Sequence, residues 1–165
     1  MREPDREIDE LASAVIGAAI EVHRVLGPGF LESVYEEALA VELELRGIEF
    51  ERQKSVHLDY KGHSIGEGRL DLFVKDRLVV ELKAVDTMAP IHTAQIMSYL
   101  KALDLPLGLL INFKVSLLKH GIKRVILSPN LGDLGALAVQ SSRRDSNAKT
   151  PRNEETEKLG GSNRR

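Results

Sequence analysis

The most informative pattern in the chain is a pair of apolar runs separated by three charged residues. Gly68 to Val74 and Leu78 to Ala84 contain the residue types that suit a pleated, half-buried surface, and Lys75-Asp76-Arg77 divides them. This arrangement predicts a β-hairpin. Because side chains alternate across a strand, Glu81 and Lys83 share one face, about 6–7 Å apart along the backbone.

Apolar residues at helical spacing predict a helix pair before the hairpin and one helix after it. The predicted helices cover about residues 5–26, 30–46 and 90–103, and further strands cover about 49–60, 107–113 and 123–127. This order of elements indicates an α/β fold with a mixed sheet flanked by helices. In the second helix, the predicted buried side consists of Leu31, Val34, Ala38, Val41 and Leu45, with Glu32 at the edge of the core.

The length of the hairpin loop decides whether two acidic side chains meet. A three-residue loop pairs Val74 with Leu78 and, by the same count, sets Asp71 opposite Glu81. A two-residue loop would put the two carboxylates on opposite faces, because a slip of one residue turns every side chain over. We therefore predict an odd-numbered loop, or a bulge with the same effect.

Charges inside apolar strands require a partner, since an unpaired buried charge costs several kcal/mol. Two facing carboxylates, Asp71 and Glu81, would be held together by a hard divalent cation, and oxygen ligands favour magnesium, manganese or calcium over zinc. Lys83 would lie beside that cation, placed to orient a water or to stabilise charge on a phosphate. A cross-strand salt bridge between Lys83 and either carboxylate explains the same charges without any function, and the hairpin alone leaves both interpretations open.

Composition limits the other functional classes. The chain of 165 residues is 42% apolar, which suits one domain with a sizeable core. Aromatic residues make up only 4%, so a stacking platform for single-stranded bases has little support. With no cysteine, the chain has neither disulfides nor thiolate metal sites. The net charge of −2 gives no global attraction to nucleic acid, so any such contact is expected to be local or to use a bound cation.

The two ends of the chain carry separate expectations. The N-terminal residues are mixed in charge and do not resemble a signal peptide, and no apolar run approaches the length of a membrane span. We therefore expect a cytoplasmic protein with no membrane partner. The folded domain is predicted to end at residue 127, because residues 128–165 are polar, with seven Lys and Arg against five Asp and Glu, and are expected to be disordered. The oligomeric state is left open.

Several segments together resemble one bacterial protein family. The stretch Gly29-Phe30-Leu31-Glu32-Ser33-Val34-Tyr35 is similar to the signature of the GxxExxY protein family, whose members are placed among the PD-(D/E)XK nuclease-like proteins. The resemblance covers roughly Leu11 to Leu127, in order and at the family's spacing. It continues through Glu81-Leu82-Lys83-Ala84-Val85, Pro90-Ile91-His92-Thr93-Ala94-Gln95, Leu110-Ile111-Asn112-Phe113 and Gly121-Ile122-Lys123-Arg124-Val125.

The resemblance implies a restriction-endonuclease-like core of order α-β-β-β-α-β with a divalent-metal site on the sheet. It implies metal binding by Asp71 and Glu81, a catalytic role for Lys83, an added acidic ligand in Glu32, and a site-facing role for Gln95. Gly29 and Tyr35 complete the signature, but the resemblance assigns Tyr35 no chemical role. Two positions depart from the family pattern: Leu70 stands where the superfamily name has proline, and Thr93 stands where glutamate is expected.

The expected activity is hydrolysis of phosphodiester bonds in nucleic acid, DNA rather than RNA, with Mg²⁺ or Mn²⁺ as cofactor. One alternative is a non-catalytic module that keeps the nuclease-like fold to bind nucleic acid or a protein partner. Another is a nucleotide-binding domain that uses Gly27-Pro28-Gly29 as a phosphate loop. That turn is predicted to join two helices rather than to follow a strand, which argues against a phosphate loop.

Overall fold

The fold is a mixed five-stranded sheet with helices on both faces, seen in a computed structural model that describes residues 4–127. The predicted tail, residues 128–165, lies outside the described residues. The helices are α1 (Arg6–Leu26), α2 (Glu32–Leu45) and α3 (Pro90–Leu103), and a short 3₁₀ helix covers Leu118–His120. The strands are β1 (Phe50–Tyr60), β2 (His63–Val74), β3 (Leu78–Lys83), β4 (Leu107–Asn112) and β5 (Ile122–Ile126). The α/β class and the order of elements are therefore confirmed.

The strands lie in the sheet in chain order, and β3 and β4 form the only parallel pair among residues 4–127. A parallel pair requires a crossover connection, which α3 provides. Two apolar clusters cover the sheet, one involving α1 and α2 and the other involving α3. Every residue of β4 is buried, as expected for a central strand covered on both faces. No helix in this part of the chain is long and apolar enough to span a membrane.

The hairpin forms with the predicted three-residue loop. Val74 pairs with Leu78, and the antiparallel register continues to Leu72 and Val80. Val80 and Leu82 point into the cluster beneath α1 and α2, while Val79 points into the cluster beneath α3. Odd-numbered positions of β3 therefore face the α3 side, which is the face that Glu81 and Lys83 share.

The predicted burial of α2 is wrong by one helical stripe. The buried residues of this helix include Tyr35, Leu39 and Leu43, whereas Leu31 is 75% exposed and Leu45 is 78% exposed. Adjacent residues lie about 100° apart around a helix, so both stripes are plausible core faces from the pattern alone. Tertiary contacts decide which stripe is buried, since the Tyr35 ring stacks on Phe113, the residue directly after β4.

Candidate metal and catalytic site

Two carboxylates meet where β2 and β3 stop pairing. Just beyond the Leu72 and Val80 pair, the Leu82 N–H donates to Asp71 Oδ2 at 2.8 Å. The carboxylate of Asp71 therefore binds the backbone of β3 next to Glu81. Glu81 is 1% exposed, and its Oε1 atom is buried without a hydrogen-bond partner. The structure thus brings the two acidic side chains together, as the loop length predicts.

The surroundings of Glu81 favour its protonated form. The pKa of Glu81 is raised from 4.5 to about 8: burial is the largest cause, the carboxylate of Asp71 adds to the rise, and Lys83 opposes it. Burial raises a carboxyl pKa because a low-dielectric environment destabilises the charged form. Strongly shifted acids of this kind cluster at functional sites, although structural ion pairs produce them too.

Lys83 provides the cation of the cluster. Its Nζ lies 3.5 Å from Glu81 Oε2, and its side chain is 14% exposed. The backbone at this position is fixed, because the Phe113 N–H donates to the Lys83 carbonyl at 2.8 Å. The amine is therefore held beside the buried carboxylate, on a side chain that keeps only a small exposure to solvent.

Glu32 approaches the cluster from the first turn of α2 and is half-buried. Burial raises the pKa of Glu32, and Asp71 adds to this shift, whereas Lys83 and the backbone N–H of Ala84 oppose it. These influences show that Glu32 lies within electrostatic reach of both Asp71 and Lys83. A carboxylate in a first turn also faces the positive end of the helix dipole.

Gln95 lies on α3, on the other side of the cluster, and is half-buried. Its amide contacts the hydroxyl of Tyr99 at 3.5 Å, and the same hydroxyl accepts the Arg69 N–H at 3.3 Å. The Tyr99 ring packs so closely on Gly68 that a Cβ there would lie 2.5 Å from the ring. Gln95 is therefore linked to the strand just before Asp71, and its hydrogen bond within residues 4–127 goes to Tyr99 rather than to the carboxylates.

The signature residues Gly29 and Tyr35 fix the start of α2. Gly29 has φ of +120°, in the region that favours glycine. The buried Tyr35 hydroxyl donates to the Gly27 carbonyl at 2.7 Å and accepts the Phe30 N–H at 3.1 Å. Its ring stacks on Phe113, with centroids 4.4 Å apart and planes 9° from parallel. Tyr35 thus ties the turn before α2 to the end of β4, and this tie positions Glu32.

One supporting residue has no role in the sequence analysis. Asn112 is 2% exposed; its Oδ1 accepts the N–H groups of Val85 and Lys114 at 3.1 and 3.2 Å, and its Nδ2 donates to the Val85 carbonyl at 2.8 Å. The side chain therefore clamps the segment after Lys83 to the end of β4. The sequence signal for such a clamp is a polar residue at the last position of an otherwise apolar strand.

The donor set fits a hard divalent cation. An unpaired oxygen on Glu81 next to Asp71 leaves a buried negative site, and oxygen ligands suit magnesium or manganese. Within residues 4–127, however, no group of three or more His, Asp or Glu side chains is close enough to enclose an ion. Two carboxylates with help from backbone or water would have to suffice, which is common for magnesium.

A comparison with known protein families agrees with this fold. A family model described as the PD-(D/E)XK nuclease superfamily matches residues 9–125. No curated protein matches the sequence. The crystal structure of SSO0001 is similar at a TM-score of 0.47 and 16% identity, covering 70% of this chain and 59% of that one, so this chain spans less than two thirds of that protein. Because the family model spans most of the sequence, the chain belongs to the PD-(D/E)XK nuclease superfamily.

Proposed function

We propose that this chain is a nuclease of the GxxExxY group that hydrolyses phosphodiester bonds in DNA and depends on Mg²⁺ or Mn²⁺. One observation carries the proposal: a buried carboxylate, Glu81, has an unpaired oxygen beside a second carboxylate and an amine. A salt bridge between Glu81 and Lys83 alone would leave that oxygen uncompensated, at a cost of about 1–3 kcal/mol or more. A bound cation would remove this cost.

In this proposal Asp71 and Glu81 hold the cation directly, and Glu32 reaches it through water, because the three carboxylates do not enclose an ion-sized site among residues 4–127. A divalent ion at such a site supplies positive charge that stabilises a phosphate and acidifies water. Membership of the superfamily supports this assignment, and so does the all-oxygen character of the donors.

The remaining residues act on water and phosphate. Lys83, with its partly exposed amine, would orient the attacking water or stabilise the charge that develops on the phosphate. Within residues 4–127 Gln95 makes only a long contact to Tyr99, so its Nε2 is available to donate to the scissile phosphate, or its Oε1 to accept from the Lys83 ammonium. Each of these roles requires the side chain to lie on the α3 face of the sheet, as Lys83 does.

A cleavage assay tests the proposal. The purified full chain and its Glu81→Ala and Lys83→Ala variants would be incubated with DNA and with RNA in Mg²⁺, in Mn²⁺ and in EDTA. We expect metal-dependent cleavage of DNA by the wild type and a loss of at least 100-fold in both variants. Glu44→Ala, at an exposed position of α2, is the matched control and should keep full activity. Equal cleavage by all four proteins would indicate contamination and contradict the assignment.

One observation favours a second candidate, a nuclease-like module that binds without cleaving. No three acidic or histidine side chains within residues 4–127 enclose an ion-sized site. Calorimetric titration with Mn²⁺ distinguishes the two candidates, because a binding module needs no metal at Asp71 and Glu81. Absence of heat from Mn²⁺ binding, together with nucleic-acid binding in EDTA, would select the module.

A further inference from the structure

A cleft of about 350 Å³ opens directly beside the carboxylate cluster. Gly29, Phe30, Leu31 and Glu32 form one wall, and Ala84 and Lys114 form the other. We call it the Phe30 cleft. Glu32 lines this cleft, and so does Ala84, which directly follows Lys83 in the chain, so the cleft borders the proposed catalytic site. A group bound here would therefore lie beside Glu32.

The first wall presents an aromatic ring to solvent. Phe30 is 49% exposed, although it packs edge-on against Tyr35 with ring planes at 78°. The backbone that carries the ring is held in place, because the Phe30 N–H donates to the Tyr35 hydroxyl at 3.1 Å. A rigid backbone beneath an exposed aromatic side chain is the arrangement that receives a flat apolar group at low entropic cost.

The second wall presents a positive charge. Lys114 follows β4, and its N–H is bound by the buried amide of Asn112. Its ammonium lies 2.9 Å from Asp86 Oδ1, and its side chain is 45% exposed. Asn112 also bonds to both the N–H and the carbonyl of Val85, so hydrogen bonds fix the backbone of this wall as well. The buried Phe113, which precedes Lys114, connects the two walls: its ring stacks on Tyr35 and its N–H donates to the Lys83 carbonyl.

We propose that the Phe30 cleft binds one unstacked nucleotide of a single-stranded segment in the substrate, with the base on the Phe30 ring and a phosphate near Lys114. This inference rests on the proposed nuclease function. A flat ring next to a solvent-accessible ammonium matches a base joined to a phosphate. Paired bases in a duplex are already stacked, so only an unpaired or frayed nucleotide could enter. The chain has seven Phe and Tyr residues in total, which fits one stacked base rather than a long platform.

Binding in EDTA tests the cleft separately from cleavage. The wild-type full chain would be titrated into a single-stranded oligonucleotide that contains 2-aminopurine, whose fluorescence falls when the base stacks. We expect quenching on binding, and a roughly ten-fold weaker affinity with loss of the quenching in Phe30→Ala. Phe30→Tyr should keep both properties. Lys114→Ala should lower the slope of log K against log salt by about 0.7, the value for one phosphate contact on a single strand.

Controls separate loss of stacking from loss of fold. Leu45→Ala changes an apolar residue at the far end of α2 that is 78% exposed, and this variant should bind like the wild type. Thermal unfolding of each variant shows whether the fold persists. Unchanged affinity and quenching in a folded Phe30→Ala protein would overturn the inference, and so would equal binding of a fully paired duplex. Binding of thymidine monophosphate as tight as that of the oligonucleotide would overturn the assignment to a strand in favour of free nucleotides.

The two proposals fail in different ways. If Phe30→Ala binds normally but the wild type still cleaves DNA with Mn²⁺, the cleft assignment fails and the nuclease assignment stands. If single-strand binding depends on Phe30 but no metal supports cleavage, the cleft assignment stands and the nuclease assignment fails.

Discussion

Lys83 Nζ contacts one oxygen of the Glu81 carboxylate at 3.5 Å, while the other oxygen of that carboxylate is buried without a hydrogen-bond partner. The Lys83 amine therefore interacts with only one of the two oxygens of Glu81, a buried carboxylate that also faces Asp71. An arrangement of this kind costs stability in the absence of a cation, because burying an unsatisfied polar atom costs about 1–3 kcal/mol. Sites that sacrifice stability in this way are characteristic of functional regions.

The first prediction concerns stability without metal. The folded-state pKa of Glu81, about 8, lies above the ordinary value of 4.5, so the folded state binds an extra proton between these two pH values. Stability of the metal-free protein should therefore fall as pH rises from about 4.5 to 8. Glu81→Gln removes this loss and should be more stable than the wild type at pH 8 by on the order of 2 kcal/mol. Urea unfolding in EDTA at pH 5, 6.5 and 8 measures the effect.

Glu44→Gln provides the matched control for that series, since the side chain at this position is exposed and should leave the pH profile of the wild type unchanged. A wild-type profile that is flat between pH 5 and 8, or one that rises, would contradict the assignment of a raised pKa to Glu81.

The second prediction concerns metal affinity. Because a cation must displace the proton that Glu81 carries below pH 8, binding of Mn²⁺ should release up to one proton per site at pH 7. The apparent affinity should rise by up to about ten-fold per pH unit from pH 6 to 8 and then level off. Calorimetry in two buffers of different ionisation enthalpy measures the proton directly. Glu81→Gln should abolish both the binding and the proton release, and Mn²⁺ affinity that does not vary with pH would contradict this linkage.

The third prediction tests whether Lys83 acts in catalysis or only balances the charge of Glu81. Lys83→Met should lower cleavage by about 10²–10³-fold, because a group that stabilises developing charge is lost, while Mn²⁺ affinity should stay within a few fold of the wild type. Lys83→Arg should not restore activity fully, since a guanidinium differs from an ammonium in shape and hydration. Comparison of single-turnover rates with calorimetric affinities provides the test. Loss of metal affinity and of activity to the same extent would make Lys83 a structural counter-ion.

Much of this site could be predicted because the relevant rules are local. The alternation of β3 and the count of residues in the 75–77 loop suffice to place Glu81 and Lys83 on one face and Asp71 beside them. The buried face of α2 could not be predicted, because two apolar stripes lie about 100° apart and the choice depends on stacking between Tyr35 and Phe113.

Two further contacts could not be predicted from the sequence, the packing of Tyr99 next to Gln95 and the clamp made by Asn112, because both depend on residues far apart in the chain. Gln95 is predicted to face the site; its amide contacts Tyr99, a neighbour on its own helix whose position is set by close packing on Gly68. The clamp made by Asn112 joins the segments that follow β3 and β4, which only the parallel pairing of those strands brings together. The packing of Tyr99 on Gly68 has no period or spacing in the sequence from which it could be inferred, and the polar residue that ends β4 indicates a clamp without showing which segment it holds.

The final prediction gives the signature tyrosine a physical role. Tyr35→Phe keeps the ring that stacks on Phe113 but removes the hydroxyl that joins the Gly27 carbonyl to the Phe30 N–H. Two buried hydrogen bonds are lost, so unfolding free energy should fall by about 1–3 kcal/mol. The turn before α2 should loosen, and amide hydrogen exchange at residues 28–32 should quicken.

Because this turn sets the approach of Glu32, cleavage by Tyr35→Phe should drop several fold while Mn²⁺ affinity at Asp71 and Glu81 changes less. Tyr60→Phe is the matched control: Tyr60 is 60% exposed, and the substitution should affect neither stability nor activity. A Tyr35→Phe protein with normal exchange in residues 28–32 but reduced cleavage would contradict a positioning role and point instead to a direct contact between the hydroxyl and the substrate. A loss of stability with unchanged cleavage would mean that Tyr35 has a structural role only. The position of Glu32 would then not depend on the turn that the hydroxyl holds.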